Sequence, residues 1–392
     1  MPGPLSGIRV VDLTTQVLGP LASQTLGDMG ADVIKVEMRD GDPIRRQGGP
    51  SRHEEMSSLF LMLNRNKRSI RLDLKLPECR LALARLVENA DVFMHNMRPK
   101  AAEKLQITYA DIAAKNPNVV YASASGFNAK GRYRDKPAFD DIIQGASGVA
   151  ALNAGPDGDP RYLPMLMADK LVGMYFAMAI SMALFARERT GVGQEVHVPM
   201  LESMLSFNLV EHLWGGVFGT PEAGLGYGRL FARRPFATSD GHVCIMASTD
   251  RQWQRLFELF ELQHLATDSR FETRANRTSN IGALYEIVAG KIRAHSTAEW
   301  LEILAKADVP SGPVKTLQNI WDDDYLKEIN FFRPFDHPTE GKLFMTDIPF
   351  HFSKTPGNIT RGVPNLGEHT TEILGEIGYS KAEISALNAA FG

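Results

Sequence analysis

The chain has 392 residues, 44% of them hydrophobic, with 43 Lys and Arg against 46 Asp and Glu. A chain this long and apolar builds two or three domains with a sizeable core, and a formal net charge of −3 gives no basis for nucleic acid or an anionic membrane surface as a partner. Two cysteines, Cys79 and Cys244, without paired spacing exclude a disulfide framework and a cysteine-rich zinc site, and fit a reducing compartment.

The opening "MPGPLSGIRVVDLT" has no basic stretch followed by an apolar one, so no secretory signal is expected and a cytoplasmic setting is. "GIRVVDL" is a short β-branched run and predicts the first strand. "GPLASQTLGDMGA" predicts a helix with Pro20 near its start and Gly30 near its end. "DVIKVE", "RSIRLDL", "DVFMHN" and "NVVYASASG" predict four further strands. Between them lie helices over "PECRLALARLVENA" and "TYADIAAKN". This alternation predicts parallel βαβ units in a doubly wound α/β sheet.

Next comes "MLMADKLVGMYFAMAISMALFARERTGVGQ", residues 165–194. Its apolar run, Leu171 to Ala186, is 16 residues long, short for a bilayer span, and reads as a buried helix. "EVHVPM" returns as a strand. A glycine-rich stretch, "WGGVFGTPEAGLGYGRL", then reads as a linker or mobile loop. A smaller α+β domain is expected over residues 226–325. Its Asp240-Gly241 predicts a hairpin, "DRQWQRLFELF" and "IGALYEIVAGKIRAH" predict helices, and Ser296 with Glu299 forms a capping box. From about residue 340 the chain is expected to be loop-like until two helical pieces in "GEHTTEILGEIGYSKAEISAL".

Glu37 ends the second strand, where a ribose-binding acid stands in dinucleotide folds. The loop "TTQVLGPLASQTLG" nevertheless lacks G-x-G-x-x-G, so NAD is not expected. The ten histidines are scattered without metal-ligand spacing, and no G-x-S-x-G marks a serine nucleophile. Arg65, Lys67, Arg68, Arg71 and Lys75 crowd one strand, and Asn96, Arg98, Lys100 and Lys104 follow another. Each run alone is a solvated face; together, on one edge of a parallel sheet, they suggest a phosphate site.

Asp169 stands ahead of the apolar helix, where an Asp serves as N-cap. N–H groups and the helix dipole would hold it ionised there, and an ionised carboxylate can also act as a nucleophile. Gly173 would leave space beside it. The residues alone leave both roles open.

Taken together, "LSGIRVVDLT…GPLASQTLGDMGADVIKVE", "NRNKRSIRLDLK", "DVFMHNMRPKAAEKL", "RTGVGQEVHVPML", "PFATSDGHV" and "LGEHTTEIL" resemble, in order and spacing, the family III CoA-transferases, the group of the formyl-CoA and carnitine CoA-transferases. The resemblance covers nearly the whole chain. It implies a large Rossmann-like domain built from residues 1–204 and 346–392, joined through linkers 205–225 and 326–345 to the small domain. It also implies an interlocked ring homodimer, acyl-CoA and carboxylic acid substrates, and no metal or organic cofactor, coenzyme A being a substrate.

The family's catalytic aspartate maps onto Asp169, and its CoA contacts onto Val17, Leu72 to Lys75, Asn96, Met97, Arg98, Lys104, and Lys136 to Phe139. Met38 replaces a family arginine, which neighbouring Arg39 could offset, and Lys104 stands where arginine is usual. "MASTDRQW" occupies the place of a glycine loop, with Ser248 and Thr249 as candidates. The related α-methylacyl-CoA racemases use a His-Asp step and a downstream Glu. Phe139 stands at the His position here, so the base for racemisation is missing. The expected reaction is CoA transfer through an aspartyl anhydride and an aspartyl-CoA thioester. Racemisation and non-catalytic acyl-CoA binding are the alternatives.

Overall fold

A computed structural model describes residues 2–155, 157–219 and 224–390. The chain divides into two compact units, residues 1–208 with 330–392, and residues 209–329.

The first unit is built on strands β1 (Arg9–Asp12), β2 (Asp32–Glu37), β3 (Lys67–Arg71), β4 (Val92–His95), β5 (Val120–Ser125) and β6 (Gln194–Pro199). Their order is β3-β2-β1-β4-β5-β6, and every pairing is parallel. Val10 pairs with Val33 on one side and Val92 on the other, so the register stacks β-branched side chains in rows. Parallel strands of this kind need both faces covered. Helix α1 (Leu18–Asp28) covers part of one face. α2 (Pro77–Glu88) and α3 (Pro99–Leu105) pack on the other. α4 (Asp140–Ala146) precedes α5 (Met167–Thr190), which joins α1 over Val10, Val92, Val120 and Ala122.

Gly173 is where α5 meets α1. A Cβ there would lie 2.7 Å from the Leu18 carbonyl oxygen, so its smallness serves helix packing, not space beside Asp169.

The second unit holds a small antiparallel sheet, β7 (Phe236–Ala237), β8 (His242–Ile245) and β9 (Ser311–Pro313). Its core of Trp253, Phe257, Leu284 and Trp300 comes from α7 (Asp250–Leu259), α8 (Ile281–Ile292) and α9 (Thr297–Lys306), α6 being Met200–His212. The Ser296 capping box forms as expected, with Ser296 N donating to Glu299 Oε2 at 2.8 Å.

The chain then forms a hairpin in the first unit, β10 (Phe332–His337) and β11 (Gly341–Thr346), and returns to the large sheet through α10 (Thr370–Glu376) and α11 (Lys381–Ala390). Ile373 and Leu374 pack with Ile34, Ile70 and Phe93. Arg68 fastens this return by pairing with Asp32, Glu372 and Glu376.

Several expectations change. The chain expected to be linker from residue 205 is helical through His212, with a 3₁₀ turn over Trp214–Phe218; residues 220–223 of the expected linker lie outside the described residues. The stretch around residue 340 is the β10–β11 hairpin, with Gly341 at φ 65 where β11 begins after the turn. The apolar helix is 24 residues long, since Asp169, Lys170, Arg187 and Arg189 extend it beyond the apolar run. By length and composition it could cross a membrane. Only one face is in the core, however: Val172, Phe176, Ile180 and Ala183 are buried, while Met174, Met178, Met182 and Phe185 are exposed on the other.

Candidate active site

The strand order reverses between β1 and β4, whose following loops therefore diverge and leave a crevice at the carboxyl edge of the sheet. A cleft of about 350 Å³ lies there. Thr15 and Gln16 come from the β1–α1 connection, Leu18 from the start of α1, Asn96, Met97 and Arg98 from the β4–α3 connection, and Ser125 and Gly126 from the exit of β5. Lys136, Pro137, Ala138 and Phe139 and the first turn of α5, with Asp169, complete it. A Cβ at Gly126 would lie 2.3 Å from Ala138 Cβ, so only glycine lets the β5 exit meet the 136–139 segment.

Asp169 is the third residue of α5, not its cap: the N-cap position is Leu166, which makes no side-chain capping bond. The capping acceptor comes from elsewhere. Asp140, buried at the start of α4, accepts the Asp169 N–H at Oδ1, 3.0 Å away. Gln144 Nε2 donates to the other Asp140 oxygen at 2.5 Å and to Met165 O at 3.1 Å, while Gln144 Oε1 accepts from Leu163 N at 2.9 Å. Asp140 and Gln144, four residues apart on α4, thus hold the segment leading into α5.

Among the described residues nothing donates a hydrogen bond to the half-buried Asp169 carboxyl. Burial first, then the neighbouring Asp140 carboxylate, push it up to about 7. Capping N–H groups therefore do not hold it ionised, as the sequence suggested. It is a carboxylate with both oxygens free and a charge only weakly stabilised by its surroundings.

The other expected contact residues fall into two groups. Asn96, Met97, Arg98, Lys136 and Phe139 share the cleft with Asp169. Asn96 turns both ends of its amide to Thr15. Arg98 donates to the Asp135 carbonyl at 3.0 Å, tying two cleft walls together. Lys136 places its ammonium 3.7 Å from the Tyr133 ring centroid. Phe139, 67% exposed, caps the rim. Val17, Leu72, Lys75 and Lys104 do not line the cleft. Val17 is buried among Ile44, Phe60 and Met345, and Leu72 lies in the sheet core. Lys75 and Lys104 are exposed. Met38 packs at the edge of that core. Ser248 and Thr249 belong to the second unit, where Thr249 forms a capping box with Gln252 and Ser248 donates to the same glutamine.

Three of the five cations in the basic run, Arg65, Lys67 and Arg68, are committed inside the fold, while Lys75 is exposed. Arg65 is buried and pairs with Asp28 at 2.7 Å, Arg68 carries three carboxylates, and Lys67 is fully buried. Burial outweighs the nearby Asp12 and pushes the Lys67 amine down to about 7. Glu37 is likewise committed inside the fold: Arg45 grips both its oxygens at 2.7 and 2.8 Å, and despite burial its carboxyl is held down at about 2.

Asp140 and Gln144 were not singled out from sequence as site residues. "FDDIIQ" carries a polar pair at helical spacing on an otherwise apolar face, and that was the available signal.

The profile of CoA-transferase family III matches residues 5–370. Among curated relatives, the succinyl-CoA:glutarate CoA-transferase of Mus musculus is 30% identical over 377 residues, spanning 95% of this chain and 86% of that protein. The succinyl-CoA:mesaconate CoA-transferase of Haloarcula hispanica is 32% identical over 387 residues, spanning 96% and 97%. Among solved structures, a CAIB/BAIF family protein from Brucella suis superposes with a TM-score of 0.81 at 31% identity, covering 96% of this chain and all of that one (100%).

Proposed function

The chain belongs to CoA-transferase family III and is a CoA-transferase, and we propose that it moves CoA from an acyl-CoA thioester to a free carboxylic acid by covalent catalysis at Asp169. The observation that carries this reading is the Asp169 carboxyl itself: it stands in the crevice at the strand-order reversal, and among the described residues no hydrogen bond occupies its oxygens. A carboxylate so poorly solvated is a better nucleophile than one in water.

An Asp169 oxygen attacks the thioester carbonyl, the C–S bond breaks, and CoA thiolate leaves a mixed aspartyl anhydride. The thiolate then attacks the Asp169 carbonyl and expels the donor acid, giving an aspartyl-CoA thioester. The acceptor carboxylate attacks that thioester, releasing thiolate and forming a second anhydride. Thiolate attack on the acceptor carbonyl completes the new acyl-CoA and restores Asp169. Each step exchanges one activated carboxyl for another, so the chemistry calls for no metal or organic cofactor. The oxyanions formed at each stage need hydrogen-bond donors from the cleft walls.

The relatives' names pair succinyl-CoA with glutarate and with mesaconate, which supports dicarboxylic acids as the substrate class. Phe139 offers no proton acceptor, and the Asp140 carboxylate is bound to Asp169 N and Gln144, so α-proton exchange is not favoured. Met174, Met178, Met182 and Phe185 form an exposed apolar stripe at helical spacing. This supports burial of α5 against a second copy in an interlocked homodimer. The exposed free thiol of Cys244 suits a cytoplasmic setting.

Incubation with succinyl-CoA and a panel of free dicarboxylates, followed by chromatography of thioesters, tests the reading. New thioesters should appear as succinyl-CoA disappears, with free CoA constant. Accumulation of free CoA alone, or α-deuterium incorporation without transfer, would overturn it.

A further inference from the structure

The β1–α1 connection supplies a wall of the cleft, yet its backbone is held almost entirely by side chains. Thr14 N and Oγ1 both donate to Asp12 Oδ1, at 2.8 and 2.5 Å. Lys35 Nζ donates to the Thr14 carbonyl at 2.9 Å and to Asp42 Oδ2 at 3.0 Å. Thr15 N donates to Asn96 Oδ1 at 3.0 Å, and Asn96 Nδ2 donates back to the Thr15 carbonyl at 2.8 Å. Gln16 N donates to Asp42 Oδ1 at 3.1 Å.

Asp12, Lys35 and Asp42 are buried, so these bonds are sheltered from water. The Thr14 side chain fills the place of a side chain at residue 19: a Cβ on Gly19 would be 2.2 Å from Thr14 Cβ. Within this frame Gln16 takes φ 68, a left-handed conformation that a residue with a side chain keeps only when its surroundings enforce it.

We propose that Asn96 is a positioning residue: it clamps Thr15, and with Lys35 and Asp42 fixes Gln16 against the cleft that holds Asp169, instead of gripping CoA through its side chain. This rests on the transferase reading. Both ends of the Asn96 amide are engaged with the N–H and C=O of one residue, as in an added rung of sheet. A wall displaced by about 1 Å in a site of this kind lowers turnover on the order of a hundredfold.

The test is Asn96→Ala in the full-length protein, measured three ways. Hydrogen exchange at the Thr15 and Gln16 amides, without ligand, should accelerate at least tenfold. The Kd for CoA by calorimetry should stay within about threefold of wild type, and kcat should fall on the order of a hundredfold. Asn96→Asp, which keeps the acceptor for Thr15 N and loses the donor, should fall between wild type and Ala in exchange and in kcat, and serves if the alanine variant does not fold. Unchanged exchange at Thr15, or a Kd for CoA weakened tenfold with kcat intact, would overturn the proposal. A wild type without transferase activity would instead remove the functional reading, while the exchange measurement still decides whether Asn96 clamps the loop.

Discussion

Asp169→Asn should stabilise the protein at alkaline pH. The folded chain keeps the Asp169 proton until about pH 7, whereas an unfolded aspartate loses it near 3.8. Between those values the folded state binds the extra proton, so this group's contribution to stability falls as pH rises from about 4 to about 7, and the full penalty remains above that. The gap corresponds to roughly 4 kcal/mol. Water reaching the half-buried carboxyl, and the loss of a favourable charge–dipole interaction of about 0.3–1 kcal/mol in the first helical turn, reduce what a neutral side chain recovers. A gain of about 1–3 kcal/mol at about pH 8.5, shrinking to near zero at about pH 4.5, is expected. Asp169→Ala should follow the same trend, because the side chain caps nothing; an N-cap would lose about 0.5–2 kcal/mol. Urea unfolding at the two pH values and matched protein concentration measures this. An Asp169→Asn protein no more stable than wild type at the higher pH, or one equally stabilised at both, would refute the reasoning.

Asp140→Asn keeps the acceptor for Asp169 N and removes the charge beside the carboxyl, so the acid limb of kcat/KM, expected near pH 7 in the free enzyme, should move to lower pH; an unmoved limb would mean burial alone sets it. Arg65→Ala leaves the buried Asp28 unpaired and should cost about 3–5 kcal/mol in urea unfolding. Exposed Lys104→Ala, by contrast, should change stability by less than about 0.5 kcal/mol in the same assay. The proposed interlocked dimer should persist on dilution to nanomolar concentration, and a reversible folded monomer in analytical ultracentrifugation would contradict it.

The sheet was legible because its strands are buried on both faces: "VVD", "DVIKVE" and "VYASAS" are continuous runs with turn residues between them. The Asp169 position was legible through family resemblance, but its electrostatics were not. A cap is read from residues next to a helix start, and here the capping carboxylate comes from Asp140, 29 residues earlier. The cations of β3 show the same limit. Arg65 and Arg68 look like a solvated face until the fold brings Asp28, Asp32, Glu372 and Glu376 to them, two of these more than 300 residues away. The β10–β11 hairpin lies across the expected linker 326–345; Pro334 sits within it, in a two-stranded ribbon where a missing N–H is tolerated. Gln16's left-handed backbone had no sequence signal, because side chains distant in sequence impose it.

The most direct test of the account is a covalent bond on Asp169. Wild-type protein mixed with succinyl-CoA and quenched should show by intact-protein mass spectrometry the added mass of CoA less one water, labile to hydroxylamine and mapped by peptide digestion to residues 165–194. Asp169→Asn should bind CoA with near wild-type affinity and carry no adduct. An adduct of unchanged yield on the Asp169→Asn protein, with deamidation excluded by mass, or rapid CoA transfer by that variant, would contradict nucleophilic catalysis at Asp169.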